Sequence, residues 1–193
     1  MAVIKVFTNG GLLLPGDLNS IATDYNASYL VYSNLIFESA RLDAPASGGP
    51  YLLGPGFTGS GVAAAGESAG LSCFYLNPAD YEQSSINKRT VKYRVLGFLA
   101  TNAVAPAITF TVGLYPVSAV AGAEKVVSVT LGTVVSGSTV AFASPAKETL
   151  GQAYSTVITA PAAGYYALGV AVSGSAAAKS SVAVRAILQM HQE

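Results

Sequence analysis

The stretch 181-SVAVRAILQMH-191 alternates along its length: Val182, Val184, Ala186, Leu188 and Met190 fall on one side, and Ser181, Ala183, Arg185, Ile187 and Gln189 on the other. Period-two alternation marks a β-strand with one face turned to a core. Further back, Tyr166, Leu168, Val170 and Val172 share a face, and Ile108, Phe110, Val112 and Leu114 oppose Thr109, Thr111, Gly113 and Tyr115. Strand candidates after residue 70 are Leu71–Leu76, Thr90–Ala100, Ile108–Tyr115, Val126–Val135, Thr139–Ala143, Ser155–Thr159, Tyr165–Ser173 and Ser181–His191. Short segments at this spacing predict an all-β fold, an antiparallel β-sandwich or jelly roll. Between them, small-residue loops are expected over 117–124 and 174–179, a tight hairpin at Val135–Ser138 and a longer one at Pro161–Gly164. The region carries no amphipathic helical pattern of three or more turns, which argues against most α/β enzymes.

Upstream the pattern changes, and three parts are expected: an extended N-terminal arm over 1–45, a linker or long loop over 46–70, and the β domain over 71–193. The arm opens with a short apolar strand candidate, Val3–Phe7, and an Asn9-Gly10-Gly11 turn. Asp17 then caps one short helix in which Leu18, Ile21, Ala22 and Tyr25 recur at i, i+3, i+4 and i+7. Two turns do not hold together alone in water, so this apolar stripe requires a docking surface. Residues 29–42 read as extended. From Ala44 to Gly70 the chain is dominated by Gly, Ala, Pro and Ser, including Gly48-Gly49-Pro50 and Gly54-Pro55-Gly56, which predicts irregular backbone.

A chain of 193 residues suffices for one well-buried core. Only 10% of it is charged, against about 25% in an average soluble protein, so much of the surface is expected to be covered by neighbours. Apolar residues on both faces of one segment, Leu96 and Phe98 beside Val95 and Leu99, point the same way. Ten basic and ten acidic residues cancel, and no basic run exceeds Lys88-Arg89. Nucleic acid and anionic membrane surfaces are therefore not expected partners. Three uncharged stretches, 95–123, 126–146 and 149–178, are long enough to raise membrane spans, but Gly, Pro and alternation favour buried sheet. No signal-peptide pattern opens the chain, so classical secretion is not expected.

Motifs for catalysis or metal binding are weak in context. Gly66-Glu67-Ser68-Ala69-Gly70 matches the G-x-S-x-G elbow, with His191 as the available base. The elbow requires a strand-to-helix turn, whereas here a strand pattern follows. Ser85-Ile86-Asn87-Lys88 matches S-x-x-K without its companion motifs. Asn77, Asp80 and Glu82 read as a solvated acidic loop, and Cys73 as a small buried apolar residue. We expect no enzyme activity, no cofactor and no metal. Tyr75, Tyr81, Tyr115, Tyr165 and Tyr166 suit a sugar-stacking platform or, better, packing and subunit contacts.

Three segments carry a resemblance: Leu14-Pro-Gly-Asp-Leu-Asn-Ser-Ile21 in the arm, Pro161-Ala-Ala-Gly-Tyr-Tyr-Ala-Leu-Gly-Val170, and Ser181-Val-Ala-Val-Arg-Ala-Ile-Leu-Gln189. With the Gly-rich join between arm and β domain, the chain resembles minor structural proteins of tailed bacteriophages, chiefly minor tail or fibre proteins of phages of actinobacteria. Head fibres and capsid decoration proteins are similar in design. The resemblance implies a virion protein assembled in the bacterial cytoplasm, anchored by its arm through Leu18, Ile21, Ala22 and Tyr25. It implies a β domain displayed as a homotrimer, with other tail or capsid proteins as partners and a host surface glycan as a further one. The chain departs from longer fibres in having no collagen-like or coiled-coil shaft. A carbohydrate-binding adhesin is the alternative.

Overall fold

The computed structural model describes residues 33–43, 47–54, 72–80, 91–101, 108–123, 126–143, 145, 149–159, 161–174 and 181–192. They form two antiparallel sheets packed face to face, one of them strongly curled. The strands are β1 (Ser33–Asp43), β2 (Gly48–Leu52), β3 (Cys73–Leu76), β4 (Val91–Thr101), β5 (Thr109–Ala123), β6 (Val126–Leu131), β7 (Val140–Ala143), β8 (Thr149–Tyr154), β9 (Ile158–Thr159), β10 (Gly164–Ser173) and β11 (Ser181–Gln192). Sheet I has the order β1-β11-β4-β8, with β9 also on β4. Sheet II has the order β2-β10-β5-β6, with β3 on β10 and β7 on β5. The chain thus passes repeatedly from one sheet to the other, and most pairings join segments distant in sequence. No helix among the described residues is long and apolar enough to cross a membrane.

The alternation read from the sequence becomes the core. Tyr93, Val95 and Leu99 of β4 and Val182, Val184 and Leu188 of β11 face inward from sheet I. They meet Phe110, Val112 and Leu114 of β5 and Leu168, Val170 and Val172 of β10. Phe142 of β7 crosses the gap: a Cβ on Gly97 or on Gly151 of sheet I would lie 3.2 Å from its ring. The two glycines therefore let an aromatic side chain lie against the β4–β8 backbone, where a larger residue would push the sheets apart.

In sheet II, β5 outlasts its first partner. Its first half pairs with β7 and its second, from Val117, with β6. The gap is closed by the β6–β7 loop. Gly132 N–H donates to Pro116 O at 2.8 Å, and Val135 N–H to Leu114 O at 2.9 Å. Leu114 N–H donates to the Ser138 hydroxyl at 3.1 Å, and Ser138 is fully buried. One hydroxyl here replaces a missing strand partner. Ser138→Ala would leave the Leu114 amide buried and unsatisfied, so we expect about 1–3 kcal/mol lower stability in urea denaturation. A change below about 0.5 kcal/mol would show that the amide finds another acceptor.

Several boundaries differ from those read in the sequence. β1 and β2 lie within the stretches read as the 1–45 arm and the 46–70 linker, and both pair with strands of the 71–193 stretch. β1 is a full member of sheet I, registered on β11 from Ser33↔Met190 to Asp43↔Ser181, and β2 lies on β10. Glycine there serves close packing: a Cβ on Gly49 would lie 2.9 Å from Val170 O. The expected 117–124 loop is strand to Ala123, and β8 was not expected at all. The Val3–Phe7 strand and the helix bearing Leu18, Ile21, Ala22 and Tyr25 lie outside the described residues.

Candidate binding surface

The outward face of sheet I is built by the alternate residues that the core leaves over. In β4 these are Arg94, Leu96, Phe98 and Ala100, and in β11 they are Ala183, Arg185, Ile187 and Gln189. β1 contributes Phe37, Ser39 and Arg41, and β8 contributes Leu150, Gln152 and Tyr154. Three of these are exposed large apolar side chains: Phe37 (52%), Leu150 (78%) and Tyr154 (49%).

The residues form ordered rows across the strands. In one, Arg94 Nε donates to Gln189 Oε1 at 2.8 Å, and Gln189 Nε2 donates to Asn34 Oδ1 at 2.7 Å. The Arg94 guanidinium also lies 4.1 Å from the Tyr154 ring centroid, so a single row spans β8, β4, β11 and β1. In the next, the Arg185 guanidinium lies 4.5 Å from the Phe37 ring centroid. Guanidiniums stacked on rings, with apolar side chains between, are the residue types enriched at the centres of protein contacts.

Beyond these rows the face dips. Arg41, Ala183, Ala100 and Leu150 are successive cross-strand partners, and the two alanines are too short to fill the space between their neighbours. The result is an open trough of about 710 Å³ whose lining also includes Ser39, Phe98 and Arg185.

On the opposite side of the molecule, the β5–β6 ribbon folds over the outer face of sheet II. There Val129 packs with Leu52 and Ala167, against Cys73, Val117 and Leu131. The tyrosines grouped by sequence separate here. Tyr75 and Tyr165 are exposed, cross-strand partners, with ring centroids 5.1 Å apart in an edge-to-face arrangement. Tyr115 is buried, and burial raises its phenol pKa. Tyr166 is buried too, its hydroxyl donating to Ala162 O at 2.6 Å, where it ties the loop before β10 to the strand. Tyr81 lies outside the described residues. At most the Tyr75–Tyr165 pair of the five is therefore placed to meet a sugar among the described residues.

Ser68 and the Ser85–Lys88 string also lie outside the described residues. His191 is buried on β11, paired in register with Lys92, and 6% exposed. Asn77 Oδ1 accepts the Ala79 N–H at 3.3 Å, capping the 3-10 turn Pro78–Asp80. Among the described residues, no three His, Cys, Asp or Glu side chains are grouped to hold a metal ion. Cys73 is half-buried and its thiol pKa is raised by burial, which disfavours the reactive thiolate.

No protein-family model matches this chain, and no curated protein matches it as a relative. The arginine and aromatic rows were not found by sequence reasoning. In the sequence Arg185 is one charge within an alternating strand, and its neighbours Phe37 and Phe98 come from strands far away in sequence.

Proposed function

We propose that this protein is a non-enzymatic structural component of a bacteriophage virion, of the minor tail or fibre type. In this reading, residues 1–45 include the anchor and the β-sandwich is displayed as an oligomer, a homotrimer. The observation that supports self-association is the exposure of Phe37, Tyr75, Leu150, Tyr154, Val157 and Tyr165 on a chain with 10% charged residues. Large side chains about half or more exposed, with few charges among them, suit a surface covered by neighbours. The likeness of the arm and of two β segments to phage structural proteins supplies the setting. A capsid decoration or head-fibre protein would use the same design.

The anchor is assigned to Leu18, Ile21, Ala22 and Tyr25, whose spacing in the sequence, i, i+3, i+4 and i+7, is that of one face of the short helix expected there. Fully burying an apolar side chain of this kind contributes about 1.5–3 kcal/mol, so a few of them can dominate a small docking contact. Leu18→Asp with Ile21→Asp would place two charges in that contact. The double variant should form oligomers of wild-type mass by light scattering and be missing from purified particles. Incorporation at the wild-type level would remove the docking role from this segment, and a monodisperse monomer for the wild-type chain would remove the oligomeric display.

A further inference from the structure

One row on the outer face of sheet I is apolar from β1 to β8. Phe37, Ile187, Leu96 and Tyr154 are successive cross-strand partners. Ile187 and Leu96 are buried at its centre, whereas Phe37 and Tyr154 stand about half exposed at its ends. Arg185 is stacked on the first of these rings and Arg94 on the second, one from the row on each side. Those two flanking rows, Asn34–Gln189–Arg94 and Ser39–Arg185–Phe98–Gln152, hold both guanidiniums and no acidic residue. What fits such a face is an apolar stripe long enough to cross four strands, roughly 14 Å at the usual strand spacing, with negative charge beside it.

The chain itself supplies a segment of that kind. Between Lys5 and Arg41 the sequence contains Asp17, Asp24 and Glu38 and no basic residue. Leu18, Ile21, Ala22 and Tyr25 have the i, i+3, i+4 and i+7 spacing with which a helix lays one face on an apolar surface. Asp17 and Asp24, seven residues apart, fall together on one flank of that stripe. A helix over the nine residues Asp17–Tyr25 would be about 13 Å long, close to the width of the row. The join to the fold is short: eight residues on from Tyr25 the chain enters β1 at Ser33, on the edge of sheet I, and Phe37 follows four residues later. When extended, such a join reaches roughly 25 Å, enough to turn back over the face. We propose that residues 17–25 dock across the outer face of sheet I of their own chain, with the apolar stripe on the Phe37–Ile187–Leu96–Tyr154 row and the two aspartates toward its arginines. The face thereby supplies the packing that a two-turn helix lacks. Because the same four side chains are assigned to the particle contact, docking covers the anchor in the free protein. That consequence rests on the anchoring role; the docking itself does not.

The test is hydrogen–deuterium exchange on the free, full-length protein, read by mass spectrometry over peptides covering residues 17–25. Amides of so short a helix exchange at the open-chain rate unless it is docked, so wild-type exchange there should be about ten-fold or more slower than in Leu18→Asp with Ile21→Asp. Tyr154→Asp, at the far end of the row, should return these amides to the open-chain rate while exchange in β5 and β10 stays as in the wild type, which controls for folding. Tyr165→Asp, on the opposite sheet, should leave the protection intact. Arg94→Glu with Arg185→Glu should remove it, and Asp17→Lys with Asp24→Lys in the same chain should restore it. The proposal is overturned if residues 17–25 exchange at the open-chain rate in the wild type, if Tyr154→Asp and Tyr165→Asp act alike, or if reversing the charges on both sides restores nothing. It is also overturned if Leu18→Asp with Ile21→Asp lowers the oligomeric mass, which would place the segment on a sister subunit. Absence of that double variant from particles, with no protection in the free wild-type chain, would leave the anchor standing and remove the docking. Protection combined with wild-type incorporation of the double variant would do the reverse.

Discussion

A chain that starts at Leu71 is expected to show no cooperative unfolding transition by circular dichroism, although it contains nearly every strand that the sequence pattern announces. It lacks β1 and β2, one from each sheet. Without β1, the whole inner edge of β11 loses its partner, from Ser181 to Met190. An open edge of that length also invites pairing with other chains. Without β1 and β2, the core loses Leu42, Leu52 and Leu53, each at most 4% exposed. Burial of three such side chains contributes about 5–9 kcal/mol, comparable with the whole net stability of a domain, about 5–15 kcal/mol. Tyr51 is lost as well, and Leu35, Ile36 and Ala40 no longer pack on the core. A truncated chain that melts cooperatively, within a few degrees of the full one, would show that sheet pairing by β1 and β2 is dispensable.

Phe110→Ala should be the most damaging single truncation in the core. Phe110 is fully buried on β5, between Val172 of β10 and Phe142 of β7. Its neighbours belong to a packed sandwich with strands paired on both sides, so the cavity cannot collapse easily. The expected loss is about 3–5 kcal/mol, and at about 2–4 °C per kcal/mol the melting temperature should fall by roughly 6–20 °C. Phe37→Ala makes the same chemical change on the outer face, where the ring is 52% exposed and covered by Arg185. It should cost less than about 1 kcal/mol, the size of a surface cation–π contact. Equal losses at the two positions would mean that Phe37 is covered in solution, and a small loss at Phe110 would refute the core assignment.

The strands that could be read from the sequence are those whose core-facing positions recur with a period of two. In Ile108–Tyr115, Tyr165–Ser173 and Ser181–His191 every second residue is apolar and packed in the core, and that pattern survives without knowledge of the partners, although the outer faces of β10 and β11 are also buried in their middle. Strands serving other needs were hidden. β2 carries Gly48, Gly49 and Pro50, a loop signal by propensity, because its backbone lies against that of β10. In β8, Gly151 makes room for the Phe142 ring, and the segment becomes a strand only because β4 is there to pair with it. Strand preference of this kind belongs to the neighbours more than to the residue.

The sequence by itself therefore determined the all-β class, most of the inward-facing residues and the shortage of charge, since each follows from local composition or from a period of two. The tertiary structure alone decided which strands became neighbours, and with that the outer face of sheet I. Arg94 reaches Gln189 across 95 residues of chain, and Gln189 reaches Asn34 across 155. The trough exists because Ala100 and Ala183 fall opposite each other between Arg41 and Leu150. Register across four strands is set by packing of the whole core, and a one-residue slip would turn every one of these side chains inward.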